Sequence, residues 1–255
     1  MNELKNTDSV KVKGNARDIK VINIGGRVVN NYLLVTPSGL VVIDTGYAGG
    51  FDRFGRRLAQ SGFSLNQIAF IVLTHAHDDH AGYLGELLLA TEAPVILHPE
   101  AVERLKEGRN RLIGGCSTRL AQIFCKSMAL AGKGKHLFPA VDVSDRAIIV
   151  NGPTQPLKAA GIPAEIMLLP GHTADSIGLK LEDGRFFCGD AAMNGFPSLA
   201  RHTIWIEDVD SFGRSWDKML DSGARTIFPS HGKPFSVADL RRYRHFMNGK
   251  KLLPL

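Results

Sequence analysis

Apolar residues in this chain gather in short runs, and most runs are closed by glycine, proline or an abrupt polar cluster. Runs over 21–24, 31–35 and 40–43 read as strands, the last two joined by Pro37-Ser38-Gly39, residue types that favour a tight turn. The pattern then predicts a helix over 51–60, a strand over 68–73, a helix over 81–90 and a strand over 94–98. A second β-rich stretch runs from about 148 to 188, and helices are predicted over 211–221 and 237–247. Two halves of strands and helices imply two sheets packed face to face with helices outside. Between the halves lies more chain than one strand and helix require. In this surplus, 108–143, Ile113, Cys116, Leu120, Ile123, Phe124 and Met128 recur at the three- and four-residue spacing of an amphipathic helix. Gly114-Gly115 and Gly132-Lys133-Gly134-Lys135 bracket that stripe and offer flexible ends. The insertion is either a lid over a neighbouring site or a packing element, including a homodimer contact. Residues 1–255 are otherwise read as one domain, and no short repeat interrupts them.

Composition narrows the class. At 255 residues and 44% hydrophobic content the chain has ample core, and no apolar stretch approaches membrane-spanning length. The N-terminal twenty residues are polar and charged, without the apolar core of a signal peptide, so a cytoplasmic protein is expected. Three cysteines, Cys116, Cys125 and Cys188, exclude a full disulfide framework; Cys188 falls in a predicted strand, and Cys116 and Cys125 on the inserted helix. The formal charge is +6, and 101–136 alone holds eight Lys or Arg against two Glu, an equal excess. That stretch is either a solvated helix face or an attractor of an anionic substrate. Nucleic acid is not expected, because no aromatic residues interleave the basic ones.

The polar clusters carry the chemistry. Thr74-His75-Ala76-His77-Asp78-Asp79-His80 follows the apolar run 68–73 directly. Alternate side chains of an extended H-x-H segment share a face, so His75 and His77 can hold one ion, with Asp79 and His80 offset enough to serve another. Gly171-His172, Gly189-Asp190 and His231-Gly232 each place one more donor just past an apolar run and beside a glycine, where a turn lets backbone crowd an ion. Seven such donors at strand ends are not a random scatter. His98, His136, His202 and His245 have no partner motif and are expected at the surface or satisfied in the core.

This order of motifs, from Asp44-Thr45-Gly46 through His-x-His-x-Asp-His to the later His, Asp and His, resembles the metallo-β-lactamase superfamily of dinuclear metallohydrolases across nearly the whole chain. The resemblance implies an α/β fold, an αβ/βα four-layer sandwich of two mixed sheets with the metals at one edge. It assigns His75, His77 and His172 to a first ion and Asp79, His80 and His231 to a second, with Asp190 bridging. Two zinc ions per chain are implied, with iron or manganese as alternatives. Asp79 and Asp190 would be the catalytic carboxylates around a metal-bound hydroxide. Asp44 is expected to fix a ligand imidazole or cap its own turn, and Thr74 and Thr173 to do similar work or only pack. Met193, Phe196 and Trp205 lie where substrate walls occur in the family, or belong to the core.

The reaction implied is hydrolysis of an ester, thioester, lactone or phosphoester in a small molecule. Asp190 argues against β-lactam cleavage, since true β-lactamases of the family lack the bridging carboxylate. Only 24 residues follow His231, too few for the helical domain of glutathione-thioester hydrolases. The stretch Ala191-Ala192-Met193-Asn194 lacks the tyrosine typical of lactonases. His77 stands where flavin-dependent diiron members carry glutamate, and no nuclease recognition arm is evident. The rival reading is a mononuclear-iron persulfide dioxygenase using His, His and Asp of the same frame; a bare metal-binding scaffold is the third.

Overall fold

The computed structural model describes residues 15–152 and 155–255. Most of the polar N-terminal stretch (1–14) and residues 153–154 lie outside the described residues. Strands β1 (Lys20–Asn23), β2 (Tyr32–Thr36) and β3 (Gly39–Ile43) form an antiparallel meander, and α1 (Phe51–Gln60) leads into β4 (Ile68–Val72). Then come α2 (Leu84–Leu89), β5 (Val95–Leu97), α3 (Pro99–Glu107), β6 (Gly115–Cys116), α4 (Arg119–Leu130) and β7 (Ala147–Ile149). The second half holds α5 (Pro156–Ala159), β8 (Ala164–Leu168), β9 (Ile177–Leu181), β10 (Arg185–Gly189) and β11 (Trp205–Ile206). It ends with α6 (Val209–Asp221), β12 (Thr226–Pro229), β13 (Phe235–Ser236) and α7 (Val237–Tyr243).

Two mixed sheets result, ordered β1-β2-β3-β4-β5-β7 and β13-β12-β10-β9-β8, with a short β11-β6 pair beside them. Strand alternation decides which residue faces which layer. On β2, Leu33 joins Phe54 of α1, Leu84 and Leu87 of α2 and Leu105 of α3. Its neighbour Leu34 points the other way, into a core shared with Ile166, Leu179 and Phe187 of the second sheet. Across that sheet, Phe186 and Cys188 meet Phe212 and Trp216 of α6 and Leu240 of α7. The layers therefore run helices, sheet, sheet, helices. Strands such as β3 are buried on both faces, which is why they read as unbroken apolar runs. No helix among the described residues is long and apolar enough to cross a membrane.

Three expectations need correction. The helix predicted from 81 begins at Leu84, because Gly82 is pressed against the 46–48 backbone, where a Cβ would meet Ala48 N at 2.3 Å. Residues 147–149 extend the first sheet, parallel to β5, rather than opening the second. The inserted helix starts at Arg119, its N-terminus capped by the Thr118 side chain, so Ile113 and Cys116 precede it and the two cysteines do not share a helix. Cys116 pairs with Trp205 across the β6–β11 ladder instead.

Candidate metal centre

The candidate donors converge at one edge of the two sheets, each a few residues past a strand. His75 to His80 follow β4, His172 follows β8, Asp190 follows β10 and His231 follows β12. After β4 the backbone tightens: His80 N donates to His77 O at 3.0 Å and Ala81 N to the same oxygen at 2.8 Å. That turn swings Asp79 and His80 away from the His75–His77 pair. Gly189 has φ +56, and a Cβ there would strike Thr74 Oγ1 at 2.6 Å, so only glycine lets β10 deliver Asp190 this close to the β4 loop.

Donor atoms of His75, His77 and His172 form one group, and those of Asp79, His80 and His231 a second. In the first, His172 Nε2 lies 3.2 Å from both His75 Nε2 and His77 Nδ1. Asp190 spans the two: Oδ1 lies 3.7 Å from His80 Nε2, while Oδ2 lies 3.7 Å from His172 Nε2 and 3.4 Å from His231 Nε2. Asp79 sits 3.5 Å from His80 Nε2 through Oδ1 and 3.2 Å from His231 Nε2 through Oδ2.

Acceptors on the far side orient four of the five rings. Asp44 accepts from Thr74 N and Thr74 Oγ1, each at 2.7 Å, and from His80 Nδ1 at 2.9 Å. Because the Thr74 hydroxyl proton is spent on Asp44, Thr74 Oγ1 accepts from His75 Nδ1, 3.1 Å away. His172 Nδ1 donates to Trp205 O at 2.7 Å and His231 Nδ1 to Val28 O at 2.9 Å. The rings of His75, His80, His172 and His231 thus turn Nε2 toward the centre. Asp44 and Thr74 hydrogen-bond to the far side of candidate ligand rings, whereas the Thr173 hydroxyl pairs with Ser176 Oγ at 2.7 Å within its own turn.

These donors fit divalent metal. His75 and His172 offer two lone pairs to each other at 3.2 Å, which is no hydrogen bond and calls for a cation between them. A tetrahedral ion with bonds of about 2.0–2.1 Å would set its nitrogens roughly 3.3 Å apart. Buried His80 Nε2 and Asp190 Oδ1 have no hydrogen-bond partner. Burial, and then the neighbouring His80, His77 and His172, push His75 well below its ordinary value, so its ring is neutral. In the second group burial works against His80, but Asp79, Asp44 and Asp190 push it up to about 9. Burial would raise Asp79 and Asp190, yet the nearby imidazoles hold both carboxyls well below the usual range. That group balances its carboxylates with protons that a metal ion can displace.

A cavity of about 230 Å³ opens over the centre. Met193, Phe196 and Trp205 all line it, together with Phe124 and Met128 of α4 and Arg111. The insertion therefore borders the centre, with its apolar face rather than its charge. Arg111 is ion-paired with Glu107, Lys106 with Glu103, and Arg104 is buried. Two lining residues had no local signal. His136, read as an isolated histidine, lies 3.4 Å from Asp78. Tyr47, half exposed, places a phenol in the lining, and desolvation and then Asp79, Asp78 and Asp190 push it up, so that it stays protonated.

A brace missed in the sequence ties the ligand loops together. Asp175 Oδ2 accepts from Ala76 N, between His75 and His77, at 2.8 Å. Arg104 Nε lies 3.3 Å from Asp175 Oδ1, and its two terminal nitrogens donate to Glu207 at 2.8 and 2.9 Å. Glu207 accepts in turn from Ala174 N at 2.8 Å, and its own N donates to Gly171 O at 2.9 Å, holding the His172 loop.

The sequence model of the metallo-β-lactamase superfamily matches residues 24–231. A "Beta-lactamase-like protein 2 homolog" of Drosophila melanogaster is 27% identical over 210 residues, 80% of this chain and 58% of that one. An "Atrochrysone carboxyl ACP thioesterase" of Claviceps purpurea is 24% identical over 212 residues, 83% of this chain and 52% of that one. A "Hydroxyacylglutathione hydrolase" of Cupriavidus taiwanensis is 29% identical over 167 residues, 63% and 48% of the two chains. The chain thus spans about half to three-fifths of the length of these relatives. Among solved structures, a Cronobacter sakazakii metallo-β-lactamase HARLDQ-motif mutant superposes with a TM-score of 0.66 at 20% identity, covering 90% of this chain and 89% of that one.

Proposed function

The chain belongs to the metallo-β-lactamase superfamily, and from that premise we propose that it is a metal-dependent hydrolase of a small molecule, cleaving an ester, thioester, lactone or phosphoester with two zinc ions per chain. His75, His77 and His172 would hold one ion, Asp79, His80 and His231 the other, and Asp190 both. The observation that carries this reading is a pair of donor groups sharing one carboxylate, with ring nitrogens turned inward and buried His80 Nε2 and Asp190 Oδ1 left without hydrogen-bond partners. Nitrogen and carboxylate donors at this spacing suit zinc, and also iron or manganese. Relatives named as a thioesterase and a hydroxyacylglutathione hydrolase support acyl transfer to water.

Bound there, the ions would acidify water and draw electron density from the oxygen of the scissile group. The chain's residues supply the rest. Asp79, held ionised at the cavity floor, accepts a proton from the attacking water and passes one to the leaving group. Tyr47, kept protonated, donates to a substrate oxygen. Met193, Phe196 and Trp205, with α4 as a cover, hold the apolar part and exclude water. We read 1–255 as one domain in which 108–143 is that covering insertion.

Zinc-loaded protein should contain about two equivalents of metal and hydrolyse at least one member of a panel of p-nitrophenyl esters, thioesters, lactones and phosphodiesters, and chelation should abolish the activity. Oxygen-18 from solvent should appear in the product. Because the metal-free second group holds its protons at neutral pH, zinc binding should acidify unbuffered solution, with apparent affinity rising toward the value of about 9 for His80. Label arriving from molecular oxygen, with iron alone restoring turnover, would replace hydrolysis by the dioxygenase reading.

Asp44→Asn keeps the shape but turns an amide N–H toward a donor now satisfied by carboxylate oxygen. The expected result is a 10- to 100-fold weaker metal affinity in chelator competition, the usual cost of losing a group that orients a ligand imidazole. An unchanged affinity would reduce Asp44 to a turn residue.

A further inference from the structure

A second cavity, of about 280 Å³, lies between the 25–29 loop and α1 and shares Val28 and Tyr47 with the cavity over the metal centre. Its floor is buried Phe54 and Tyr83, and its charged lining is Arg27 and Arg53, with no Asp or Glu. Both arginines are exposed, and neither guanidinium has a hydrogen-bond or ion-pair partner among the described residues, whereas Arg111, which lines the metal-side cavity, is paired with Glu107. The dividing loop is held in place. Gly25 N donates to Asn23 Oδ1 at 2.9 Å, Gly26 N to Val29 O at 2.8 Å, and Asn30 Nδ2 to Gly232 O at 2.7 Å. Val28 O itself accepts a hydrogen bond from His231 Nδ1. The cavity is therefore preformed, and its wall is anchored to a candidate ligand.

We propose that this cavity is a substrate subsite for an anionic oxygen group, a carboxylate or phosphate, on a molecule whose apolar part occupies the cavity over the metals. The proposal rests on the hydrolase reading for its substrate. The metal-side cavity is walled by Phe124, Met128, Phe196 and Leu255, with Arg111 already paired, so it accepts apolar matter. The neighbouring cavity offers two unspent guanidiniums, and Val28 and Tyr47 belong to both linings, so that one molecule would occupy both. Guanidinium is the side chain best matched to planar carboxylate and to phosphate. The substrate class is thus an amphiphilic ester or thioester with a terminal anion.

The test compares p-nitrophenyl hexanoate with mono-p-nitrophenyl adipate, which adds a terminal carboxylate, and with the corresponding ester ending in phosphate. The zinc-loaded protein should show about tenfold lower KM for one or both anionic esters, and the better one identifies the group. Arg27→Gln/Arg53→Gln should remove that preference through KM, with kcat and the hexanoate parameters unchanged. Arg56→Gln, on the same helix but outside the lining, should keep it. In parallel, calorimetric titration of metal-free protein with adipate and with inorganic phosphate avoids chelation of an ion; binding should be lost in the double variant and kept in R56Q. Equal KM for neutral and anionic esters, or a preference and binding heat that survive the double variant, overturns the subsite. If no ester is hydrolysed while the titrations behave as expected, the hydrolase reading fails and the anion site stands.

Discussion

Asp190→Ala is expected to lower kcat/KM by about 10³-fold or more, beyond the 10- to 100-fold typical of groups that only orient ligands. The reason is position. Among the described residues, Asp190 is the carboxylate whose two oxygens face donors of both groups, His80 through Oδ1 and His172 and His231 through Oδ2. With two metal ions bound as proposed, removing it would take away the negative charge between them, and in the metal-free state it would free His80 and His231 from a neighbour that holds their protons. Metal content should therefore fall together with activity, and the ion of the Asp79, His80 and His231 group should be the one lost. Asp190→Asn separates shape from charge: it fills the same space and keeps one acceptor, so a rate close to that of the alanine variant would show that the second oxygen and its charge are what matter. Elemental analysis beside steady-state kinetics decides the matter. A variant that retains both ions and a tenth of the rate removes Asp190 from the centre.

The donors of that centre were legible because each sits in a local pattern. An apolar run ending in histidine or aspartate beside glycine survives in one dimension, and the four strands bearing such ends happen to open at one edge. Tyr47, His136, Asp175 and Glu207 carry no such mark. Asp175 meets Ala76 across 99 positions, and only the packing of α3 puts Arg104 between Asp175 and Glu207. The same limit explains the fold errors. Gly82 breaks the start of α2 through contact with a loop remote in sequence, and nothing in the 147–149 run announces that it pairs with β5. The inserted helix was visible as a stripe, but its apolar face points into the cavity more than into the core, with Ile123 and Leu130 left exposed. Charge was the least transferable signal: Arg104, counted toward a basic surface, is 2% exposed.

Arg104→Met should therefore destabilise the fold itself, by about 3–5 kcal/mol, the cost of removing one partner from a buried ionic group. Methionine fills much of the volume, but Asp175 and Glu207 would be left as buried carboxylates with only backbone N–H donors to satisfy them. At roughly 2–4 °C per kcal/mol for a chain of this size, Tm should fall by about 10 °C. The measurement belongs on metal-free protein, so that a weakened metal site does not enter the result through linkage. Arg104→Lys keeps the charge but cannot make the two parallel bonds to Glu207, and should fall between the native chain and methionine. Adding Asp175→Asn and Glu207→Gln to Arg104→Met removes the unpaired charges while leaving carbonyl oxygens for the Ala76 and Ala174 amides. That triple variant should regain most of the lost stability but not the native metal affinity, since the loops of His75, His77 and His172 lose their common brace. A drop in Tm under about 2 °C for Arg104→Met, or a triple variant that binds zinc as tightly as the native chain, would show that the two ligand loops hold their positions without it.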